Sequence, residues 1–279
     1  MNSRSRLMKI AVVCVNYFCE GTIATMLRTI NMSGDYALSI TLVDNSQSMS
    51  ASPSFAQIAG TPAVTLLDPG GNLGYLGAFA WAVRTQSLHS THDMVILANP
   101  DLEFSQDFFA TLAATDYDED IAIIAPDIVN LPSLSRANPA MTRRPTRRRM
   151  GLRKVVHSNK QVYAAYDLLH RLKKRLRAQT SAPQVEPARI YAPHGALMLF
   201  RAGYFEAGGS LDYFSFLFGE ELFVAEEARR IGKSVLFDPN LHARHHEHVA
   251  TGVLGTSNLS KFSHESLARI YDEYFRHDR

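Results

Sequence analysis

The stretch Val95-Ile96-Leu97-Ala98-Asn99-Pro100-Asp101 passes abruptly from apolar to polar residues. A short apolar run of this kind is typical of a buried strand. Pro100 cannot donate a ladder hydrogen bond and favours an extended backbone at Asn99, so the strand should end here. We therefore expect Asp101 on a tight loop at the carboxyl end of a strand, where α/β sheets bind ligands. Asn-Pro-Asp is also a common turn sequence, so the stretch alone leaves a purely structural role open.

Strand-like and helix-like segments alternate on both sides of this stretch. The expected strands are 9–15, 38–43, 64–67, 94–98, 121–125, 190–200 with an interruption at 193–195, and 234–237. The expected helices are 21–30, 76–85, 106–114, 220–231 and 259–275. This alternation predicts an α/β fold with a Rossmann-type, mostly parallel central sheet flanked by helices. Asp44, Asn72 and Asp101 each follow a strand, so they should converge at one edge and form a nucleotide-sized cleft.

The composition is that of a globular protein with a full core, with 279 residues of which 46% are hydrophobic and 20% charged. The two cysteines, Cys14 and Cys19, match neither a metal motif nor a disulfide framework, which indicates a reducing compartment. The apolar run 10–15 is too short for a signal peptide, and no stretch of about 18 apolar residues predicts a membrane-spanning helix. These features favour a cytoplasmic location.

The formal net charge of +2 conceals a strongly basic segment. Residues 143–177 contain 13 Lys and Arg residues and a single acid, Asp167. Residues 143–154 are too charged to be expected in a core, whereas the apolar residues of 162–176 fall on one helical face. A basic amphipathic helix is typical of proteins that bind anionic membranes. A solvated loop is one alternative, and nucleic-acid binding is a weaker one because no nucleic-acid motif accompanies the segment.

Three other features have ordinary structural explanations as well as functional ones. The segment Asn72-Leu73-Gly74-Tyr75-Leu76-Gly77 suits a phosphate-binding helix N-terminus, but its glycines also suit close helix–sheet packing. Glu220 and Glu221 open a helix, where acids offset the macrodipole. A histidine cluster follows the last expected strand and consists of His242, His245, His246 and His248. Such clusters are common on surfaces, but four histidines in seven residues favour a metal ligand.

Seven short motifs stand in the order found in one enzyme family. They are Val15-Asn16-Tyr17, Val43-Asp44-Asn45-Ser46, Gly71-Asn72-Leu73-Gly74, Asn99-Pro100-Asp101, His194-Gly195-Ala196-Leu197-Met198, Gly219-Glu220-Glu221 and His246-Glu247-His248. With these motifs the chain resembles the inverting family 2 glycosyltransferases with the GT-A fold. The resemblance is strongest to the bacterial rhamnosyltransferase-like branch, which builds cell-surface polysaccharides, and it covers about residues 8–252.

The resemblance implies a domain organisation. A single GT-A-like catalytic domain is expected at residues 1–255, with a nucleotide-binding half at about 1–125 and an acceptor half at about 188–255. The basic amphipathic segment, 143–180, is then an insertion, and residues 256–279 form a C-terminal helix.

The resemblance also assigns roles at the expected cleft. Asp44 is expected to contact the base of the sugar nucleotide, and Tyr17 to line the base pocket. Asp101 corresponds to the last residue of the family's Asp-x-Asp metal motif, and His246, with His245 as the alternative, to a histidine close to the metal. The other nucleotide-binding candidates are Val15, Asn16, Asn72, Gly74 and Asn99, of which Asn99 replaces the first aspartate of the metal motif.

The pair Glu220-Glu221 stands where the family usually has Glu-Asp, whose second acid is the general base. Glu221 is therefore the expected base and Glu220 the alternative. The implied reaction is a single displacement in which Glu221 takes the proton of an acceptor hydroxyl and the anomeric configuration inverts. Mg²⁺ or Mn²⁺, held by Asp101 and His246, would neutralise charge on the leaving diphosphate.

The implied donor is a nucleotide-diphosphate sugar, linked to dTDP or UDP, with rhamnose as the sugar typical of this branch. The implied acceptor is a glycan or a polyprenyl-linked saccharide. The basic segment 143–177 would then hold the enzyme on the inner face of the cytoplasmic membrane. Two other functions stay open. A sugar-phosphate nucleotidyltransferase usually has a glycine-rich, lysine-bearing loop that is missing here, and a non-catalytic adaptor would not need Asp101, Glu221 and His246.

Overall fold

The computed structural model describes residues 6–158, 186–246 and 256–278. Within them the strands are β1 (Met8–Asn16), β2 (Tyr36–Asp44), β3 (Val64–Leu67), β4 (Met94–Ala98), β5 (Leu102–Phe104), β6 (Ile121–Leu131), β7 (Ala188–Ile190), β8 (Leu197–Arg201) and β9 (Ser234–His246). The helices are α1 (Glu20–Thr29), α2 (Phe55–Ala59), α3 (Tyr75–Thr85), α4 (Leu88–Thr91), α5 (Phe108–Ala114), α6 (Arg147–Ser158), α7 (Ala202–Glu206), α8 (Glu220–Arg230) and α9 (Thr256–Ile270). A 3₁₀ turn lies at Met49–Ala51, and α9 continues into a π-helical turn at Tyr271–Phe275.

The nine strands of the described residues belong to one sheet, in the order β3-β2-β1-β4-β8-β6-β9-β5, with β7 paired to β9. The first four strands in this order are parallel, and Asn16 stands opposite Asp44 at the carboxyl ends of β1 and β2. β8 runs antiparallel to both of its neighbours, whereas β6 and β9 are parallel. The sheet is therefore parallel where the nucleotide cleft is expected and mixed beyond β4. Apolar runs predict buried strands but not their direction, which is why the sequence indicated a more uniform sheet.

Helices cover both faces of the sheet, and alternate residues of β1 show the two cores that result. Ile10, Val12 and Cys14 pack in one core with α1 and α5. Ala11 and Val13 pack in the other core with α3 and α8. Because both faces are covered, the central strands are apolar throughout. This explains why apolar runs predicted β1 and β4 within one residue of their observed ends.

The last strand is much longer than the sequence predicts. A strand is expected only at 234–237, whereas β9 extends to His246 and carries most of the histidine cluster. Leu241, Ala243 and His245 are buried, and the residues between them are exposed. Successive side chains of a strand point to opposite faces, so the neighbours His245 and His246 lie on opposite sides of the sheet.

The first part of the basic segment packs against the C-terminal helix. Met150 of α6 is buried in a small core with Leu222 and Ile270. Arg144 lies over the ring of Phe275, 4.3 Å from its centroid, and donates to both carboxylate oxygens of Glu226 at 2.6 and 3.2 Å. The expectation that residues 143–154 stay out of a core is therefore wrong for Met150. Arg144 is partly buried, because the buried carboxylate of Glu226 supplies its countercharge.

The expected amphipathic helix at 162–176 lies outside the described residues. None of the helices that the structure describes is long and apolar enough to cross a membrane.

Candidate active site

A pocket of about 210 Å³ opens at the carboxyl ends of β1 and β4, where α3 and α8 begin. It is lined by Val15, Tyr17, Asn45, Asn72, Gly74, Tyr75, Asn99, Pro100, His194, Gly195, Ala196, Phe216, Leu217, Phe218, Glu220 and Glu221. Several strand ends therefore meet at this edge of the sheet, but of the predicted side chains Asp44, Asn72 and Asp101 only Asn72 belongs to the lining. Glu220 and Glu221, from the second half of the chain, line the same pocket.

The lining contains seven of the predicted site residues, which are Val15, Tyr17, Asn72, Gly74, Asn99, Glu220 and Glu221. The other four, Asn16, Asp44, Asp101 and His246, are not part of the lining. Of these four, Asn16, Asp44 and Asp101 are buried, and His246 is exposed.

Asn16 and Asp44 fix the loops that follow β1 and β2. The Nδ2 of Asn16 donates to Oδ1 of Asp44 at 2.9 Å, and the N–H of Met49 donates to Oδ2 at 2.8 Å. Burial alone would raise the pKa of Asp44, but hydrogen bonds from Met49, Ser46 and Asn16 outweigh it and lower that pKa below its usual value. The carboxylate is thus ionised and engaged by its own loop. Its contact with a nucleotide base stays a prediction.

Gly74 allows two walls of the pocket to meet. It has φ +75°, and a Cβ there would lie 2.2 Å from the carbonyl oxygen of Phe216. Its N–H donates to Oδ1 of Asn72 at 2.9 Å, and its carbonyl accepts from Nδ2 of Asn45 at 2.9 Å. Close packing therefore explains Gly74. It does not explain Gly77, where an added Cβ would make only an ordinary contact with Leu73 at 3.8 Å.

The buried Glu220 and the partly exposed Glu221 form a carboxyl pair at the start of α8. Glu220 is 6% exposed, and its Oε1 accepts the N–H of Phe218 at 2.9 Å. Burial, with the charge of Glu221 as a second cause, raises the pKa of Glu220 to about 8. Burial also raises the pKa of Glu221, opposed by the backbone N–H groups of Glu221 and Gly195. Glu220 therefore keeps a proton at neutral pH. A carboxyl pair with raised pKa values suits proton transfer, and helix capping does not require it.

The backbone at Gly195 lies directly against Glu221. A Cβ at Gly195 would stand 2.8 Å from Oε1 of Glu221. On the other side, the hydroxyl of Tyr75 donates to the carbonyl of Gly195 at 3.2 Å. The loop before β8 thus holds the position of the Glu221 carboxylate, and α3 holds the loop.

Asp101 lies on a tight loop after β4, as the sequence predicts, and is 4% exposed. Its Oδ1 stands 3.1 Å from Nε2 of His245, yet within the described chain this oxygen accepts no hydrogen bond. The Nδ1 of His245 lies 3.3 Å from Oδ1 of Asn130, and its Nε2 lies 3.3 Å from Nδ2 of Asn99. In the tautomer that carries its proton on Nδ1, His245 donates to Asn130 and presents the Nε2 lone pair towards Asn99 and Asp101.

The side chain beside Asp101 is therefore that of His245, the alternative of the two predicted histidines, and not that of His246. The Nε2 of His246 lies 2.9 Å from Oε1 of Glu103, on the exposed side of the sheet. The backbone N–H of His246 does donate to the carbonyl of Asp101, at 3.0 Å. The alternation of side chains along β9 thus brings the preceding histidine, and not His246, to Asp101.

The donor atoms beside Asp101 fit a hard divalent cation with two protein ligands. The structure shows no group of three or more His, Cys, Asp or Glu residues suited to a metal among the residues it describes. Mg²⁺ sites commonly use one or two carboxylates, with substrate phosphates and water as further ligands. Adjacent ligands about 2.1 Å from an octahedral ion stand about 3 Å apart, close to the separation of Asp101 Oδ1 and His245 Nε2. The ring of His245 lies 6.1 Å from that of His194, which lines the pocket.

Some site residues were not among the sequence-based candidates. They are Asn45, Tyr75, His194 and the aromatic segment that ends at Phe218. Asn45 and His194 belong to the motifs that carry the resemblance. The signal for these two residues was therefore present, whereas Phe216 and Phe218 carry no such signal.

The fold is the GT-A-like α/β fold that the sequence predicts, and solved glycosyltransferase structures share it. GalNAc-T7 in complex with UDP, GalNAc and Mn²⁺ is 17% identical with a TM-score of 0.63, over 97% of this chain and 50% of that chain. The mannosyltransferase PcManGT from Pyrobaculum calidifontis, in complex with GDP-Man and Mn²⁺, is 16% identical with a TM-score of 0.54, over 99% of this chain and 66% of that chain. Residues 1–349 of S. aureus TarS are 10% identical with a TM-score of 0.53, over 86% of this chain and 60% of that chain.

The chain thus spans between half and about two thirds of the length of these structures. At such identities the likeness establishes the fold. No protein-family model matches the chain, and no curated protein is significantly similar to it.

Proposed function

We propose that the chain is a metal-dependent inverting glycosyltransferase that moves a sugar from a nucleotide-diphosphate sugar to a hydroxyl group of a glycan or lipid-linked acceptor. The observation that carries the proposal is one pocket that joins the Glu220–Glu221 pair to Asn99, beside Asp101 and His245. The similar structures of GalNAc-T7 and PcManGT, which hold UDP or GDP-Man with Mn²⁺, support it.

Glu221 is the proposed general base. It takes the proton of the acceptor hydroxyl while that oxygen attacks the anomeric carbon and the bond to the diphosphate breaks, so one displacement inverts the configuration. Glu220 is the less suitable base because its pKa of about 8 keeps it protonated at neutral pH. Its Oε1 is also engaged by the N–H of Phe218. A positioned base contributes roughly 10²–10⁴-fold to the rate.

Asp101 and His245 are the proposed metal ligands. Bound there, Mg²⁺ or Mn²⁺ would supply positive charge to the leaving diphosphate. Asn130 is the proposed positioning residue for His245, because its Oδ1 lies 3.3 Å from Nδ1 and can accept the Nδ1–H, which places the lone pair on Nε2. Tyr17, Asn72 and the N-terminus of α3 at Gly74 are the proposed contacts of the nucleotide, since they line the same pocket.

The proposed setting is the inner face of the cytoplasmic membrane, with dTDP-rhamnose and UDP-sugars as the first donors to test. Arg147, Arg148 and Arg149 are exposed on α6, while Met150 and Val156 of the same helix are buried. One side of α6 is thus packed against the protein while the other exposes cations, an arrangement that suits peripheral binding to an anionic membrane.

The test is a thermal-shift panel of sugar nucleotides with and without Mn²⁺, followed by a transfer assay with the donor that binds. A ligand that binds only the folded state raises the unfolding temperature. We expect one sugar nucleotide to stabilise the protein only with metal, and NMR of the product to show an inverted anomeric centre. Pyrophosphate release from a nucleoside triphosphate and a sugar phosphate would indicate a nucleotidyltransferase instead. Absence of any shift across the panel would refute the proposal.

A further inference from the structure

The backbone just before the glutamate pair is held by the C-terminal helix. The carbonyl of Phe218 accepts hydrogen bonds from two hydroxyl groups, those of Tyr213 and Ser266. The same two hydroxyl oxygens lie 2.6 Å from each other. Ser266 belongs to α9 and is fully buried, so this contact joins the last helix to the loop that leads into α8.

Phe218 needs such support because its backbone is in a left-handed conformation, with φ +69°. A bulky residue rarely adopts this conformation unless the surroundings determine it. Here both of its peptide groups are fixed, the N–H by Oε1 of Glu220 and the carbonyl by the two hydroxyl groups. Gly219 follows with φ +85°, and a Cβ there would lie 2.5 Å from Ser266 Oγ and 2.5 Å from Ile270 Cδ1.

Two further contacts connect α9 to the same loop. Arg269 donates to the carbonyl of Phe214 at 2.7 Å, and the rings of Phe262 and Phe216 lie 4.9 Å apart between centroids. Phe216 and Phe218 both line the pocket. The contacts of α9 therefore reach the wall of the pocket and the residue that binds Glu220.

We propose that Ser266 and Tyr213 are positioning residues for the Glu220–Glu221 pair, acting through the carbonyl of Phe218. The inference rests on the proposed function, because it gives the C-terminal helix a part in the reaction. Neither hydroxyl group is assigned to the substrate. Their task is to hold the left-handed backbone that directs the Phe218 N–H at Glu220 and sets where α8 begins.

The test compares Ser266→Ala and Tyr213→Phe with Ser263→Ala. Ser263 lies on the same helix, but its hydroxyl is 3.0 Å from Nδ1 of His157 on α6 and not at the loop. Tyr213→Phe keeps the ring against Phe223, whose centroid is 5.0 Å away. Misplacement of reacting groups by about 1 Å can cost about 100-fold, so we expect kcat to fall about 10- to 100-fold in both loop variants. The KM for the donor should change little, and Ser263→Ala should keep the wild-type kcat.

The double variant supplies the sharper measurement. Because both hydroxyl groups serve one carbonyl, their losses should be non-additive in kcat, with the double variant little worse than the more damaged single one. Unchanged kcat in Tyr213→Phe and Ser266→Ala would overturn the inference, as would an equal loss in Ser263→Ala. If Ser266→Ala fails to fold, Tyr213→Phe alone decides. If the wild type transfers no sugar, the proposed function fails. The positioning can then still be tested by nuclear magnetic resonance titration of the Glu220 carboxyl, because Ser266→Ala and Tyr213→Phe should shift its pKa and Ser263→Ala should not.

Discussion

The Nε2 of His245 lies 3.1 Å from Oδ1 of Asp101. Pairing of β5 with β9 produces this contact, because it sets Leu102, the residue after Asp101, opposite His245. Across the described residues Oδ1 of Asp101 has no hydrogen-bond donor, although it is buried. A buried carboxylate oxygen without a donor is costly unless a cation or a protonated group meets it. The ladder thus fixes the separation of the two groups that we propose as metal ligands.

His245→Gln should weaken Mn²⁺ binding, whereas His246→Gln should leave it unchanged. Loss of the hydrogen-bonding partner of a metal ligand costs roughly 10–100-fold in affinity, so loss of the ligand itself should cost at least about as much. The two histidines are adjacent on one strand, which makes His246→Gln a matched control. Mn²⁺ affinity is measured by electron paramagnetic resonance in the presence of nucleoside diphosphate. Weaker binding in His246→Gln alone would contradict the assignment and restore the sequence-based choice.

Glu221→Gln should bind the donor and lose transfer. Gln keeps the size of the side chain but cannot accept the acceptor proton, so the rate should fall by about 10²–10⁴-fold. Glu220→Gln should cost less, because Glu220 is the carboxyl that keeps its proton at neutral pH. Single-turnover rates together with donor affinities measure both variants. A dead Glu220→Gln beside an active Glu221→Gln would exchange the two roles.

The pKa of Glu220 predicts how stability depends on pH. Burial raises this pKa from 4.5 to about 8, so the folded state favours the protonated form. In the unfolded chain the carboxyl ionises above about 4.3, and folding then has to retain a proton or bury a charge. This group therefore lowers the stability of the wild type progressively as pH rises from about 4.5 to 8. Glu220→Gln has no such group. The difference in unfolding temperature between this variant and the wild type should therefore shift in favour of the variant over this interval and stay constant above it.

The surface substitution Glu206→Gln is the control for that comparison, because Glu206 is exposed. Its unfolding temperature should follow the wild type across the same pH range. A constant difference between Glu220→Gln and the wild type from pH 5 to 9 would show that the folded state does not raise the pKa of Glu220.

The strand ends of the pocket could be predicted from the sequence because their signals are local. An apolar run that stops at Asn-Pro-Asp marks the end of β4, and parallel strands bring such ends together. The predicted strand 94–98 coincides with β4, and Asn72, Gly74 and Asn99 all line the pocket. The fold class followed from the same runs. The direction of the strands beyond β4 could not be predicted, because an apolar run such as β8 has the same pattern in a parallel and in an antiparallel strand.

The parts that the sequence did not predict depend on long-range contacts. The sequence of β9 contains Asp238, Pro239 and Asn240 just after residue 237, and these residues interrupt the strand-like pattern. The sequence therefore predicts that the strand ends there. Pairing with β6 and β5 carries it on to His246, and this pairing decides which histidine faces Asp101. The left-handed backbone at Phe218 could likewise not be predicted, because it is held by a long-range contact with Ser266 of the last helix.

Gly74→Ala should destabilise the protein, and Gly77→Ala should not. Gly74 has φ +75° and ψ −175°, a conformation that glycine alone adopts readily and that costs other residues about 1–3 kcal/mol. Its Cβ would also meet the backbone of Phe216. Gly77 lies inside α3 with space for a methyl group, so Gly77→Ala should stabilise by about 0.5–1 kcal/mol. Urea unfolding of both variants measures the difference, and equal effects would contradict the role given to Gly74.

The exposed arginines of α6 should contribute to binding of anionic membranes. Arg147, Arg148 and Arg149 face solvent, whereas Arg144 is held by Glu226. Each cation near an anionic surface contributes about 1 kcal/mol, so changing the three exposed arginines to Gln should weaken binding to phosphatidylserine vesicles about 100-fold.

Changing Arg6, Arg28 and Arg84 to Gln removes the same charge from other exposed positions and serves as the control for this experiment. Vesicle co-sedimentation at several salt concentrations measures binding, which should fall with salt in the wild type because exposed charges are screened. Neutral phosphatidylcholine vesicles should bind none of the proteins. Transfer to a soluble acceptor should survive in both triple variants, since none of these arginines lines the pocket. Equal loss of vesicle binding in the two triple variants would mean that net charge, and not α6, attracts the protein to the membrane.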